Sequence, residues 1–557
     1  METVEFSPAT RKANIERMKS DVFDIVVIGG GITGAGIARD AALRGLTVAL
    51  VERNDFASGT SSKSARMVHG GLRYLENYQF GLVMSACAER YKLHKLAPRL
   101  VRPTAFTFPV FRKSRNGFLK IRLGMWLYDL MALFRNVGRH RMLRPQQVAA
   151  LEPVVPQQEL VGAAYYYDCL ADDARLTLAT IQSAHQYGAL IANHAEVSGL
   201  LKDKGRVTGI NVVDRVCGEP FSVRARATVN ATGVWADNIR RMDDSSAEKL
   251  IRANRGIHLV LPRSKLPING AVAFTSPDGK RAMYAVPWGE TAIIGTTDTD
   301  HPGDLDVVYA TATEVESILL STNHAFPGTG LTLDDIISTY AGLRPLLGDE
   351  EKAAYQVSRD HQIYESNSGL LSIAGGKLTT YRKMAEDLVD QASKKLETEF
   401  GIRAQSNTRS DQTPLVDITF DPEWELATLA ESYHQFDDDI LAHLVRVYGP
   451  ACPTVLAFIE GNADMGSRIV PGLPYIRAEI PYAVRYEMAL TLSDFMIRRT
   501  HIIHEDKKQG VGCMSDIAQV MAQHLGWSSE ETEQQTEQYR REVELSRTYL
   551  SPLLHNG

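Results

Sequence analysis

The sequence predicts a multidomain protein of mixed α/β and α+β class: a Rossmann-like nucleotide-binding domain, an antiparallel-sheet substrate domain and a helical C-terminal domain. Three observations predict it. A glycine cluster sits between a buried strand and a helix near the N-terminus, short strands recur in mid-chain, and the pattern after residue 423 is mostly helical. At 557 residues the chain is also too long for one hydrophobic core, so two or three domains are expected.

The glycine cluster comes first. Residues 23–29 (FDIVVIG) read as a buried strand, 33–44 as a helix and 47–52 (TVALVE) as a second strand, which together make a βαβ unit on a parallel sheet. Gly29, Gly31 and Gly34 form G-x-G-x-x-G between strand and helix, and Glu52 closes the second strand. The first glycine permits a tight turn, the second lets a pyrophosphate approach the backbone, and the third allows close helix packing. A carboxylate at position 52 suits a ribose hydroxyl. Glu52 also weighs against a 2′-phosphorylated ligand, because two anionic groups repel. The pattern specifies a dinucleotide and leaves FAD and NAD equally open.

The mid-chain strands follow. Stretches 189–195, 207–214, 225–231 and 370–376 read as strands that rejoin the first sheet, so that the nucleotide-binding domain is discontinuous over 20–100, 160–250 and 365–395. Strands at 257–261, 271–275, 282–286 and 292–296, separated by turn residues, indicate an antiparallel substrate-binding sheet. That domain is placed at 101–159 and 251–364. A polar stretch, GIRAQSNTRSDQTP, reads as part of a linker over 396–422, and 423–557 as the helical domain, in which 486–499 is expected to be one amphipathic helix with basic residues in its last turn.

Composition narrows the partners. A charged fraction of 23% and a net charge of -6 give no global attraction to polyanions, so nucleic acid is not expected. The five cysteines are scattered and form no C-x-x-C pair, which argues against a disulfide framework and a zinc site; no metal is expected. The N-terminal stretch is polar, without the apolar core of a secretory signal, and no window holds the apolar run of a spanning helix.

Five further stretches carry a resemblance. VVIGGGITGAGIARDAALRG (26–45), DFASGTSSKSARMVHGGLRYLE (55–76), YAGLRPL (340–346), SRDH (358–361) and GGKLTTYRKMAE (375–386) closely resemble the FAD-dependent, respiratory (aerobic) glycerol-3-phosphate dehydrogenases. The resemblance is collinear from about residue 20 to about residue 395, and the helical tail resembles that family's C-terminal domain. It implies noncovalent FAD, oxidation of sn-glycerol 3-phosphate to dihydroxyacetone phosphate, and electrons passed to membrane quinone. It also implies a homodimer on the cytoplasmic face of the cell membrane. An oxidase of the same substrate that passes electrons to oxygen and releases peroxide is one alternative; an FAD-dependent nucleic-acid-modifying protein is another.

The resemblance also assigns residues. Beyond Gly29, Gly31, Gly34 and Glu52, the cofactor set is Gly59, Thr60, Ser61, Ser62, His69, Gly70, Gly233, Gly375, Gly376, Leu378 and Thr379. The small hydroxylated run 59–64 suits the phosphates and flavin edge, and the helix beginning near Thr379 places a positive dipole end at the flavin. Thr379 could equally be a plain N-cap. A dianionic phosphoryl group calls for several cations: Arg73, Arg359 and Lys377, with Tyr74 as a hydroxyl donor. His258 is the expected proton acceptor, because a neutral imidazole suits that task near pH 7, and the permanently charged Arg344 polarises the substrate oxygen. HIIH at 501–504 shows no metal-binding pattern.

Residues 111–141 hold eight Arg or Lys and one acidic residue, Asp129, around an apolar centre. Such a segment suits the surface of an anionic membrane. The competing expectation, favoured for the central residues, is a helix packed on the core with its basic ends in water.

Overall fold

The computed structural model describes residues 4–133, 135–279, 281–348 and 360–551, apart from the side chains of Arg73, Glu76 and Asn77. Strand Val22–Ile28 is buried along all but its first residue, as a central parallel strand must be. It pairs in parallel with Val48–Val51 on one side and Pro220–Asn230 on the other. The sheet continues through Leu190–Ala192 at one end and Leu371–Gly375, then His361–Glu365, at the other. The hairpin of Ala195–Asp203 and Arg206–Asp214 pairs antiparallel with the start of Pro220–Asn230. Strands more than 300 residues apart thus meet in one sheet.

Helix Ile32–Leu43 covers this sheet and packs between helices Asp173–Gln186 and Tyr381–Phe400. Two glycines permit the approach. A Cβ on Gly34 would stand 1.9 Å from the carbonyl oxygen of Gly29, and one on Gly36 would stand 2.9 Å from the Tyr381 ring.

Among the described residues the second sheet has ten strands and is mixed rather than purely antiparallel, because Ala271–Thr275 pairs in parallel with Val101–Phe111. Towards one edge Ile251–Pro262 lies between Ser338–Leu347 and Thr291–Gly295, both antiparallel to it. Strand Leu160–Ala171, which lies in the 160–250 range expected for the nucleotide-binding domain, pairs along its length with Val101–Phe111 in the second sheet. Its tyrosines suit such pairing: Phe106 and Tyr166 stand directly opposite and stack at 5.5 Å.

In the C-terminal region the single helix expected over 486–499 is broken. Helix Glu479–Glu487 ends at Met488, which adopts a left-handed φ of 52° and donates its N–H to the Phe6 carbonyl at 2.8 Å. A wide-turn helix, Asp494–Arg499, follows. The interruption turns two arginines inward. Arg498 and Arg499 do not serve the helix dipole; both bind the fully buried Asp55, at 2.5 and 2.8 Å. Periodicity sees an apolar stripe and cannot see a buried carboxylate about 440 residues away.

Residues 401–414 carry no helix or strand, yet they are tied down on helix Ile32–Leu43. Arg39 donates to the carbonyls of Thr413 and Pro414, and Gln405 donates its N–H to the Arg44 carbonyl. Stretch Asp438–Ile459 has a mean hydropathy of 1.3 over a length that could cross a membrane. The chain turns within it at Gly449 and Pro450, and its apolar residues form the core of a helical cluster.

Candidate active site

A cavity of about 670 Å³ lies against both sheets, and its walls come from segments spread over 350 residues of sequence. At one end is the glycine cluster. Gly29 has a φ of 110°, and a Cβ there would approach the Ala231 carbonyl oxygen to 2.8 Å. Glu52 lines the same end, and one carboxylate oxygen accepts from the Gly30 N–H at 2.6 Å, the other from the Asn54 N–H at 2.8 Å. Burial pushes its pKa up, against the pull of those two N–H groups. Ser61 Oγ accepts from the Ile32 N–H at 3.0 Å and so ties the 59–64 loop to the start of the helix. Thr60 donates to the Leu343 carbonyl at 2.6 Å, which joins the loop to the second sheet.

The structure brings most of the expected cofactor residues to this cavity. Gly29, Gly31, Glu52, Gly59, Thr60, Ser61, His69 and Gly233 line it, as do Gly375, Gly376, Leu378 and Thr379. Three stand behind the wall. Gly34 packs on Gly29, and Ser62 has a buried Oγ with no partner among the described residues. Gly70 donates its N–H to Asp168 at 3.1 Å, and a Cβ there would stand 2.2 Å from the Tyr128 hydroxyl, so its need for glycine is one of packing. Thr379 is neither a helix N-cap nor a first helical residue: it lies in the tight turn Leu378–Thr380, and its Oγ accepts from the His69 N–H at 3.1 Å.

These features fit a dinucleotide. The cradle at 29 and 34 has no room for a side chain, and the wall of the same cavity holds Trp235, whose buried indole N–H has no partner among the described residues. A flavin dinucleotide would meet backbone N–H groups and small hydroxyls along its phosphates, the chemistry such a group requires.

The other end gathers the substrate residues. Lys377 Nζ lies 3.7 Å from the centre of the Tyr74 ring, so the two form a cation–π pair on the wall. Arg344 is held by three oxygens, Asn254 Oδ1 at 2.8 Å, Thr297 O at 3.2 Å and Thr296 Oγ at 3.0 Å, with the Asp298 carboxylate 3.5 Å away. The absence of a Cβ on Gly256 leaves room for its guanidinium. Arg73 lies in the tight turn Leu72–Asn77 beside Tyr74, and its side chain is outside the described atoms; Arg359 lies outside the described residues.

His258 projects from strand Ile251–Pro262 of the second sheet, lines the cavity and is almost wholly buried. Burial, reinforced by the positive charges of Arg344 and Arg66, pushes its pKa down to about 3. An imidazole in that state is neutral, with a lone pair free to accept a proton. The sign follows: the neutral form is favoured by folding, so acid costs stability as pH falls from the unfolded value near 6.5 towards about 3. The rate of the chemical step between pH 5 and 8 is accordingly expected to show no inflection from His258, and a pH series of single-turnover rates checks it. A break near 6.5 that His258→Asn abolishes would contradict the burial argument.

Some lining residues carry no sequence signal of their own. Trp235 and Asn238 follow Gly233, and Tyr284 stands on the cavity face of its strand. The period-two alternation of 282–288 points Tyr284 and Val286 to one side, yet only the packed sheet shows which side meets the cavity.

A sheet with a parallel core and a glycine cradle, joined through one cavity to a second sheet that carries an imidazole and a guanidinium, defines a flavin-dependent oxidoreductase. The family model described as FAD dependent oxidoreductase matches residues 24–382, and that for the C-terminal domain of alpha-glycerophosphate oxidase matches 375–532. The chain belongs to the FAD-dependent glycerol-3-phosphate dehydrogenase family. It is 38% identical over 545 residues to glycerol-3-phosphate dehydrogenase 2 of Mycobacterium tuberculosis, covering 96% of this chain and 91% of that one. It is 35% identical over 535 residues to the aerobic glycerol-3-phosphate dehydrogenase of Staphylococcus aureus, covering 95% of each. Among solved structures, the FAD complex of the Bacillus halodurans glycerol-3-phosphate dehydrogenase superposes with a TM-score of 0.80 at 30% identity, covering 99% of this chain and 100% of the other.

Proposed function

We propose that this chain oxidises sn-glycerol 3-phosphate at C2 to dihydroxyacetone phosphate and passes the electrons to a membrane quinone. The observation that carries the reading is convergence. Tyr74, His258, Arg344 and Lys377, from four distant segments, line the same cavity as the glycine cradle. FAD, when bound, supplies the two-electron acceptor, with the hydrogen on C2 leaving as hydride towards flavin N5. Lys377, Tyr74, Arg73 and Arg359 bind the phosphoryl group; Arg344 steadies charge on the C2 oxygen; His258 accepts the hydroxyl proton. Anaerobic mixing of the flavoprotein with sn-glycerol 3-phosphate, glycerol or an amino acid is the test. Bleaching by the phosphate ester alone, followed by reoxidation with a quinone analogue, is expected; bleaching by an amino acid and not by the ester overturns the reading.

A second acceptor has one observation in its favour, the match of 375–532 to a domain named for an oxidase. Stoichiometric peroxide in air, with no stimulation by quinone, would establish it.

Membrane contact belongs to the same proposal. Helix Phe118–Met131 buries only Met125, Tyr128, Asp129 and Met131, so the packed stripe expected at the centre of this segment is narrow. Leu119, Leu123, Trp126 and Leu130 are each more than half exposed, and all eight surrounding Arg and Lys are exposed. An apolar strip fringed by cations matches an anionic lipid surface and supports peripheral attachment, while the homodimer and the cytoplasmic face rest on the family resemblance. Co-sedimentation with anionic vesicles is expected to fall about tenfold or more in Leu123→Glu/Trp126→Glu, since two large apolar groups leave the interface. Equal sedimentation of variant and parent would place lipid contact elsewhere.

A further inference from the structure

Tyr284, Gly295, His258 and Tyr340 stand opposite one another on four adjacent strands of the second sheet, so they form one row across it. Gly295 leaves a gap that the imidazole fills: a Cβ there would stand 2.2 Å from His258 Cδ2. On the other side the Tyr340 ring lies nearly flat against His258, at 4.8 Å and 18°. The row then passes into the helical region. His504, on the short helix Ile502–Glu505, packs on Tyr340 at 5.1 Å, and its Nδ1 lies 3.4 Å from Ser338 Oγ.

Both ring nitrogens of His258 are buried without a hydrogen-bond partner among the described residues. A histidine base is ordinarily oriented by a hydrogen bond to one of its nitrogens, often from a carboxylate or carbonyl. Here that device is missing and packing is left to set the plane of the ring. We propose that Tyr340 and His504 are positioning residues, which hold His258 by ring packing and leave its nitrogens to the substrate. A carboxylate partner would orient the ring but would also stabilise the imidazolium; aromatic neighbours orient it and keep it neutral. The helical region is then part of the active site. The HIIH spacing, which lacks a metal pattern, acquires a purpose: His501 anchors the segment, with Nε2 2.5 Å from Asp172 and Nδ1 3.4 Å from Arg66, and His504 meets Tyr340.

The inference rests on His258 as proton acceptor, so the experiment separates the two. Flavin reduction by sn-glycerol 3-phosphate is followed anaerobically in the holoenzyme for His504→Ala, His504→Phe, Tyr340→Leu, Tyr340→Phe and His258→Asn. The variants that lose a ring are expected to reduce about 10- to 100-fold more slowly with FAD content retained, the scale of a misplaced reacting group, and those that keep a ring to recover most of the rate. His504→Ala is expected to add nothing to the loss in His258→Asn, because the two act as a unit. A second reading needs no turnover: with ¹³C-labelled histidine, the His258 ring signal broadens in His504→Ala and stays sharp in His504→Phe. If His504→Ala does not fold, Tyr340→Leu, on a different element, carries the same comparison. Parental rates in His504→Ala and Tyr340→Leu beside a slow His258→Asn overturn the positioning role alone. A parental rate in His258→Asn overturns the proton assignment itself.

Discussion

His258→Asn is expected to slow flavin reduction by sn-glycerol 3-phosphate by about 10²- to 10⁴-fold, the usual contribution of a positioned general base. Three features make the effect large. The ring is almost wholly buried, so water does not readily replace it; its low pKa keeps it in the accepting form; and among the described residues the one other imidazole that lines the cavity, His69, sits on a turn tied to Thr379. FAD content is expected to be retained, because the cradle at Gly29 and Gly31 belongs to the other sheet. The check is single-turnover bleaching with the flavin spectrum before mixing as the measure of occupancy. Reduction kinetics equal to the parent at every pH would remove His258 from the reaction.

Gly34→Ala is expected to abolish FAD retention and to lower the melting temperature. The added Cβ would stand 1.9 Å from the backbone oxygen of Gly29, where no flexible side chain can give way. Relief requires the helix to move off the strand, which pulls apart the turn that the pyrophosphate needs. Overpacking of a tight contact costs about 1–3 kcal/mol and occasionally more, a large share of ordinary stability. Gly124→Ala, on the exposed helix with nothing within 4 Å of the new Cβ, is the matched control and is expected to keep both FAD and stability. Purified Gly34→Ala with a parental flavin-to-protein ratio would show that the helix has slack that the contact does not reveal.

The legible part of the site was local. Gly29, Gly31, Gly34 and Glu52 stand in a fixed spacing whose meaning depends only on a strand, a turn and a helix within 30 residues, and the structure realises that unit. Glu52 shows the limit even there: its carboxylate is shared with the N–H groups of Gly30 and Asn54, which spacing does not announce. His258, Arg344 and Lys377 were reached through resemblance, since a lone charged residue in a strand carries no mark of the cavity it will face. Tyr340 carries no signal beyond its place in YAGLRPL, and HIIH lacks the neighbouring ligands of a metal site. Their meaning lies in ring contacts between strand Ser338–Leu347 and a C-terminal helix about 160 residues away.

The errors have the same origin. A broken helix at Met488 looked continuous because its apolar residues keep a helical period on both sides of the break, while the demand that broke it, the buried Asp55 calling for Arg498 and Arg499, comes from the other end of the chain. Strand Leu160–Ala171 falls in the range 160–250 given to the nucleotide-binding domain yet pairs with Val101–Phe111, because a pattern along the chain is silent on which strand it will meet.

By itself the sequence determined the dinucleotide unit and the fold class, a Rossmann-like domain joined to a second sheet and a helical region. Tertiary structure alone decided which sheet each strand joined, which face of helix Phe118–Met131 stayed in water, and how His258 is held without a hydrogen bond. Backbone turns and side-chain periods are set by neighbours along the chain, so they can be read in line. Burial, ring packing and depressed pKa values depend on segments that meet only after the chain has closed on itself.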